Sequence, residues 1–159
     1  GTFLIHAYSQ NQDTWRTDNG GKGSACFLGD SEVTIAQDSI SYCIYEVPMT
    51  NYAVTLTLPE LFHDLFQSYT FTVASGGRSI NLREGEKAYF SPNDGGFTYK
   101  LSAVNIDGDQ HSASTILYTD VQRGKLYNLH YSFASSSTSG GIDIVITDDT
   151  TTDDTIIEF

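Results

Sequence analysis

The sequence predicts an all-β protein, an antiparallel β-sandwich carrying one short helix. Period-two alternation is the first sign. Tyr127, Leu129, Tyr131 and Phe133 alternate with Asn128, His130 and Ser132, and Ile142, Ile144 and Ile146 alternate again after a Ser/Thr/Gly bridge. Such spacing sends each set of side chains to one face of a strand. The second sign is rhythm: strand-like runs recur about every ten to fourteen residues with turn residues between them, as in sandwiches and barrels. The third is composition, since aromatics make up 13% of the chain and suit a pleated, half-buried surface. A transthyretin-like arrangement and an Ig-like Greek key both fit this pattern.

Residues 2–8 read as the first strand. Residues 9–24 are polar and Gly-rich around Trp15 and Arg16, which predicts a long, mobile loop. Residues 25–28 and 32–36 read as two short strands split by Gly29 and Asp30. Residues 40–47 are apolar on both faces, with Ile40, Tyr42 and Ile44 on one and Cys43, Tyr45 and Val47 on the other. That predicts a strand covered on both sides, ended by Pro48. Residues 53–58 alternate, with Val54, Leu56 and Leu58 inward. Pro59 then opens the one helical pattern, residues 59–66, in which Leu61, Phe62, Leu65 and Phe66 form an apolar stripe.

Tyr69, Phe71 and Val73 return to period two, and Gly76-Gly77 turns the chain. Short strands follow at 79–83 and 87–91, then a dense turn signal from Pro92 to Gly96. Phe97, Tyr99, Leu101 and Ala103 share a face, but Val104 and Ile106 do not, which predicts a β-bulge near Ala103. Asp107-Gly108 is a dipeptide favoured in type I′ hairpin turns, and residues 111–121 return as a strand. The expected core includes Val54, Leu56, Phe71, Val73, Tyr99, Leu101, Leu129, Tyr131, Ile144 and Ile146. Residues 1–148 form one expected domain, and 149–159 an acidic, Thr-rich, solvated tail.

The 159 residues carry a net charge of −12. That argues against nucleic acid, whose phosphates need a basic surface, and against anionic membranes. A chain of this size buries enough surface to fold without staples. Cys26 and Cys43 lie in successive strand-like segments; they either form a disulfide in an oxidising compartment or remain two separate thiols. The first residue is Gly1 rather than Met, which reads as a trimmed or mature chain and leaves an upstream export signal open.

Candidate chemistry is sparse. Asn105, Asp107 and Asp109 resemble a calcium loop only superficially, because the glycine comes too early and no late glutamate follows. His6, His63, His111 and His130 are scattered, and the sequence has no nucleophile elbow and no zinc-protease motif. No catalytic residue, metal site or cofactor is therefore expected; a hydrolase with a triad assembled only in space is the remote alternative. Trp15, with Tyr8, Tyr42, Tyr45 and Tyr52, reads either as a sugar-stacking platform or as aromatic residues folded back into the body. Trp15, Arg16 and Tyr8 are the candidate ligand-binding residues, since an aromatic in a polar loop has no obvious core to fill.

The order of segments resembles a known family. It runs from Ile5-His-Ala-Tyr-Ser9 through the Trp15 loop, Cys43 and residues 53–58. Leu61-Phe-His-Asp-Leu-Phe-Gln-Ser-Tyr-Thr-Phe-Thr-Val73, the segment 124–133 and residues 141–149 complete it. Together they resemble the uncharacterised Bacteroidetes surface lipoprotein domains of domain-of-unknown-function family 4493, fimbrillin-like in style, over nearly the whole chain. The family has no assigned catalytic residues to carry over. The resemblance implies export, outer-membrane attachment through a lipidated cysteine upstream, and a non-enzymatic role in adhesion or fimbria accessory assembly. Partners would then be host or bacterial surface proteins or glycans. A carbohydrate-binding module is the alternative drawn from the aromatic residues.

Overall fold

A computed structural model describes residues 1–131, Phe133 and the backbone of Thr151–Asp153. The strands are β1 (Thr2–Tyr8), β2 (Leu28–Thr34), β3 (Tyr52–Thr57), β4 (Phe66–Ser75), β5 (Arg78–Leu82) and β6 (Lys87–Phe90). They continue as β7 (Phe97–Asn105), β8 (Gln110–Ser112), β9 (Ile116–Tyr118), β10 (Leu126–His130) and β11 (Thr151–Asp153), with one short helix, α1 (Phe62–Leu65). One sheet is ordered β11-β10-β3-β6; the other runs β5-β4-β7-β8, with β9 also paired to β7. These two sheets pack face to face. A separate ribbon of β1 and β2 stands beside them.

The alternation seen in the sequence sets the core. Val54, Leu56, Ala88, Phe90, Tyr127 and Leu129 face Phe71, Val73, Leu82, Phe97, Tyr99 and Leu101, all buried. Rings meet across the layers: Tyr52 and Phe97 lie 5.9 Å apart and Phe71 meets Tyr131 edge-on at 6.1 Å. Edge-on and tilted pairs suit the ring quadrupole, and each large side chain fully removed from water contributes about 2 kcal/mol. The expected core residues up to Tyr131 are all buried; Ile144 and Ile146, like the expected closing strand at 142–146, lie outside the described residues. The stretch expected to be a loose tail contributes β11, which pairs antiparallel with β10.

Several expectations need correction. Residues 25–36 hold one strand, β2, which runs straight through Gly29 and Asp30 in register with β1. The helix is shorter than expected because Phe66 is already extended, at φ −125° and ψ 126°, and Pro59 sits in the turn that accepts the Phe62 N–H. Phe62 and Phe66 still stack at 4.6 Å and close one end of the core. The irregularity expected in β7 falls instead on its partner: β4 shifts register between Phe66 and Ser68, opposite Asn105 and Val104. The Asp107-Gly108 hairpin forms, but only Gly108 has positive φ (93°), so the turn is not the expected type I′, which needs two such residues.

Residues 40–47 are the largest departure. They form no strand, and Ile40, Tyr42 and Ile44 are 83%, 94% and 95% exposed. A run apolar on both faces does not by itself make a strand; it needs an edge to pair with. Cys43 lies in this exposed stretch while Cys26 is buried, and both are free thiols.

Candidate functional site

The loop of residues 9–24 is pinned rather than loose. Its Trp15 is only 9% exposed. The Arg16 and Arg78 guanidinium carbons lie 5.0 Å and 5.8 Å from the indole centroid. Arg78 Nη1 donates to the Tyr89 carbonyl at 2.7 Å, and Nη2 donates to the Gly21 carbonyl. Lys22 Nζ bonds Glu86 Oε1 at 2.6 Å, and that bond first, with the Arg83 N–H second, holds the Glu86 carboxyl below its ordinary pKa. Burial, and then the like charge of Arg16, push the Arg78 pKa down. The Trp15 platform is therefore corrected: the indole is packed under arginines, not offered to solvent. Tyr52, another candidate, is wholly buried.

Asn51 joins the pieces. It is 2% exposed, its Oδ1 accepts from Cys26 N at 3.2 Å and its Nδ2 donates to Ser24 O at 2.8 Å. Its own carbonyl accepts from Gly124 N at 2.8 Å. The loop and the entry to β2 are thus tied to the Asn51 side chain, and the entry to β10 to its backbone carbonyl, at the start of β3. Nothing in the sequence marked this residue, because its partners lie far away along the chain.

What this arrangement creates is an open groove of about 1190 Å³ between the ribbon and the outer face of the β10-β3-β6 sheet. Its floor follows from register. Leu126, Ala53 and Tyr89 stand side by side across β10, β3 and β6, and Asn128, Thr55 and Lys87 form the next row. Side chains in one row share a face, and a methyl at Ala53 between two larger neighbours leaves a trough. One wall is residues 7–11, with Tyr8 61% exposed. The other is residues 45–49, where Tyr45 leaves the exposed stretch and turns inward. Phe27 lies between them, and Arg123 and Lys87 line the groove along with Glu46. Burial raises the Tyr89 pKa.

Of the expected ligand residues, only Tyr8 lines this groove, joined by Tyr45 from the wider aromatic set; Trp15, Arg16, Tyr42 and Tyr52 do not. His6, next to Tyr8, pairs with Asp30, and His63 lies 3.4 Å from Glu84. Among the described residues, no group of three His, Cys, Asp or Glu side chains converges as a metal site would require.

With this geometry in place, the chain can be set beside known proteins. A family model described as Domain of unknown function (DUF4493) matches residues 1–159. The chain belongs to that family. The match spans the ribbon, both sheets and the groove alike, so the groove lies inside the family's domain. No curated protein and no solved structure matches the chain.

Proposed function

We propose that this chain is a non-enzymatic binding module of a bacterial cell surface, a fimbrillin-like adhesion or fimbria-accessory lipoprotein domain of Bacteroidetes type, and that the groove is its ligand-holding surface. The observation that carries this reading is the groove's lining. Tyr8, Phe27, Tyr45 and Tyr89 surround a trough floored by Ala53, and concave, largely apolar surfaces with a few polar groups are where ligands bind. Tyrosines on such a surface offer rigid faces and hydroxyls together. That favours a saccharide ligand, so adhesion and carbohydrate binding become one activity.

Two experiments test it. Cell fractionation with surface proteolysis of the native protein should find it at the cell surface; recovery in the cytoplasm contradicts the surface role. A glycan array probed with the wild type and with Tyr45→Ala should give hits that the substitution removes. Hits that survive it contradict the groove.

A further inference from the structure

Among the described residues, the groove's lining carries two cations against one carboxylate, while the chain as a whole is acidic. The whole protein carries −12, with twenty acidic residues against eight basic ones. Three other cations are engaged: Lys22 with Glu86, Arg16 at 3.9 Å from Asp94, and Arg78 with two backbone carbonyls. Lys87 and Arg123 differ. Both line the groove, and among the described residues Glu46 is the acidic residue lining it with them. Among the described residues neither side chain has an ion-pair partner, and both residues are exposed.

Their placement is set by topology. Lys87 stands on β6 across from Thr55 of β3. Arg123 lies just before β10, the other neighbour of β3, where Gly124 N bonds Asn51 O. The two cations therefore stand at diagonally opposite ends of the Ala53 trough, about 20 Å apart from two interstrand spacings across and about five residues along the strands. Two unpaired cations in a concave, aromatic-lined site draw in and hold negative charge, the more so on a molecule that otherwise repels it.

We propose that the groove binds an acidic saccharide, an oligomer whose sugar rings carry carboxylates, with Tyr45 and Tyr89 against ring faces and Lys87 and Arg123 on the carboxylates. This rests on the groove being the ligand-holding surface. A volume of about 1190 Å³ exceeds a single small-ligand pocket, so the ligand spans several rings. An acidic peptide fits less well over the centre of the floor: β3 is paired on both sides, so a peptide lying on Ala53 cannot extend that strand.

The test is isothermal titration of the full chain with oligogalacturonate, a sialylated oligosaccharide, a neutral galacto-oligosaccharide of equal length and an acidic peptide. Lys87→Met, Arg123→Met and Tyr45→Ala accompany the wild type. Met keeps an unbranched apolar stem at exposed positions, so unchanged melting of both cation variants is the folding control. The expected result is binding of a carboxylated oligomer, weakened about tenfold by either cation substitution and by rising salt. Response to the uronate or to the sialate alone identifies the source of the carboxylate. Equal binding of the neutral oligomer, lost in Tyr45→Ala and indifferent to both cation variants, overturns the acid preference while leaving the groove as the binding surface. Binding of the peptide but of no saccharide overturns it too. Absence of every interaction overturns both the proposal and the groove reading.

Discussion

Tyr45 lies across Gly29, its hydroxyl occupying the space where a β-carbon at position 29 would stand, with Pro48 Cδ 2.8 Å from that same point. The contact joins a residue of the groove wall to the ribbon that frames it. Gly29 has no positive φ, so the glycine is required by close approach and not by backbone conformation.

Gly29→Ala should therefore destabilise by overpacking, by about 1–2 kcal/mol, and push Tyr45 off the ribbon. Adding Tyr45→Phe removes the clashing oxygen and should return part of the loss. Urea unfolding of the two single variants and the double variant measures this as a coupling energy. Strict additivity contradicts the contact.

Asn51 offers a sharper stability test. Replacing it with Ala leaves Cys26 N and Ser24 O without their partners in a buried site, which should cost about 2–3 kcal/mol. Asn51→Asp keeps an acceptor for Cys26 N but presents a second acceptor to the Ser24 carbonyl, so it should cost at least as much. Chemical denaturation gives both numbers; a loss under 0.5 kcal/mol, the size of an ordinary surface change, contradicts the staple.

Trp15 is the chain's only tryptophan, which makes its loop visible by fluorescence. Arg78→Met deletes the two bonds to the Tyr89 and Gly21 carbonyls. Lys cannot reproduce that fork, so Arg78→Lys should behave similarly. Red-shifted emission and faster iodide quenching are expected in both variants, with about 1–2 kcal/mol lost. Unchanged emission would mean that the loop does not depend on Arg78.

Alkaline stability should report on Tyr52. Burial, the largest cause, pushes its pKa up to about 12 despite the opposing hydrogen bond to Ser75. The unfolded chain releases this proton near pH 10, so above that pH the unfolded state binds fewer protons than the folded one. Stability is then fully present below pH 10 and falls as pH rises from 10 through 12. Tyr127, raised chiefly by burial, acts in the same direction. Tyr52→Phe should flatten the decline between pH 10 and 12 in denaturation midpoints; an unchanged slope contradicts the shift.

The sandwich was legible in the sequence where a strand has one wet and one dry face. Val54, Phe71, Tyr99 and Leu129 are buried as their alternation requires. Reading failed where local signals competed with distant contacts. Gly29-Asp30 reads as a turn, yet the glycine serves Tyr45 inside a continuous strand. Residues 40–47 read as a strand because a run apolar on both faces records a tendency without recording whether an edge is available. The extra residue lies on β4, between Phe66 and Ser68, while Val104 and Ile106 break the apolar alternation of the β7 segment without a bulge there.

The groove was the least legible feature. Its lining comes from five separated stretches around residues 7–11, 25–27, 45–53, 87–89 and 123–126, and only pairing register brings Leu126, Ala53 and Tyr89 into one row. Trp15 drew attention as an aromatic in a polar loop, but no local pattern announces that Arg78, on β5, folds over it.

The most direct test of the groove as ligand surface is amide chemical-shift mapping during titration with the oligosaccharides above. Shifts should concentrate at residues 7–11, 45–49, Ala53, Lys87, Tyr89 and 123–126, with β4 and β5 unmoved. Shifts centred on the β5-β4-β7 face, or none with any saccharide, contradict it.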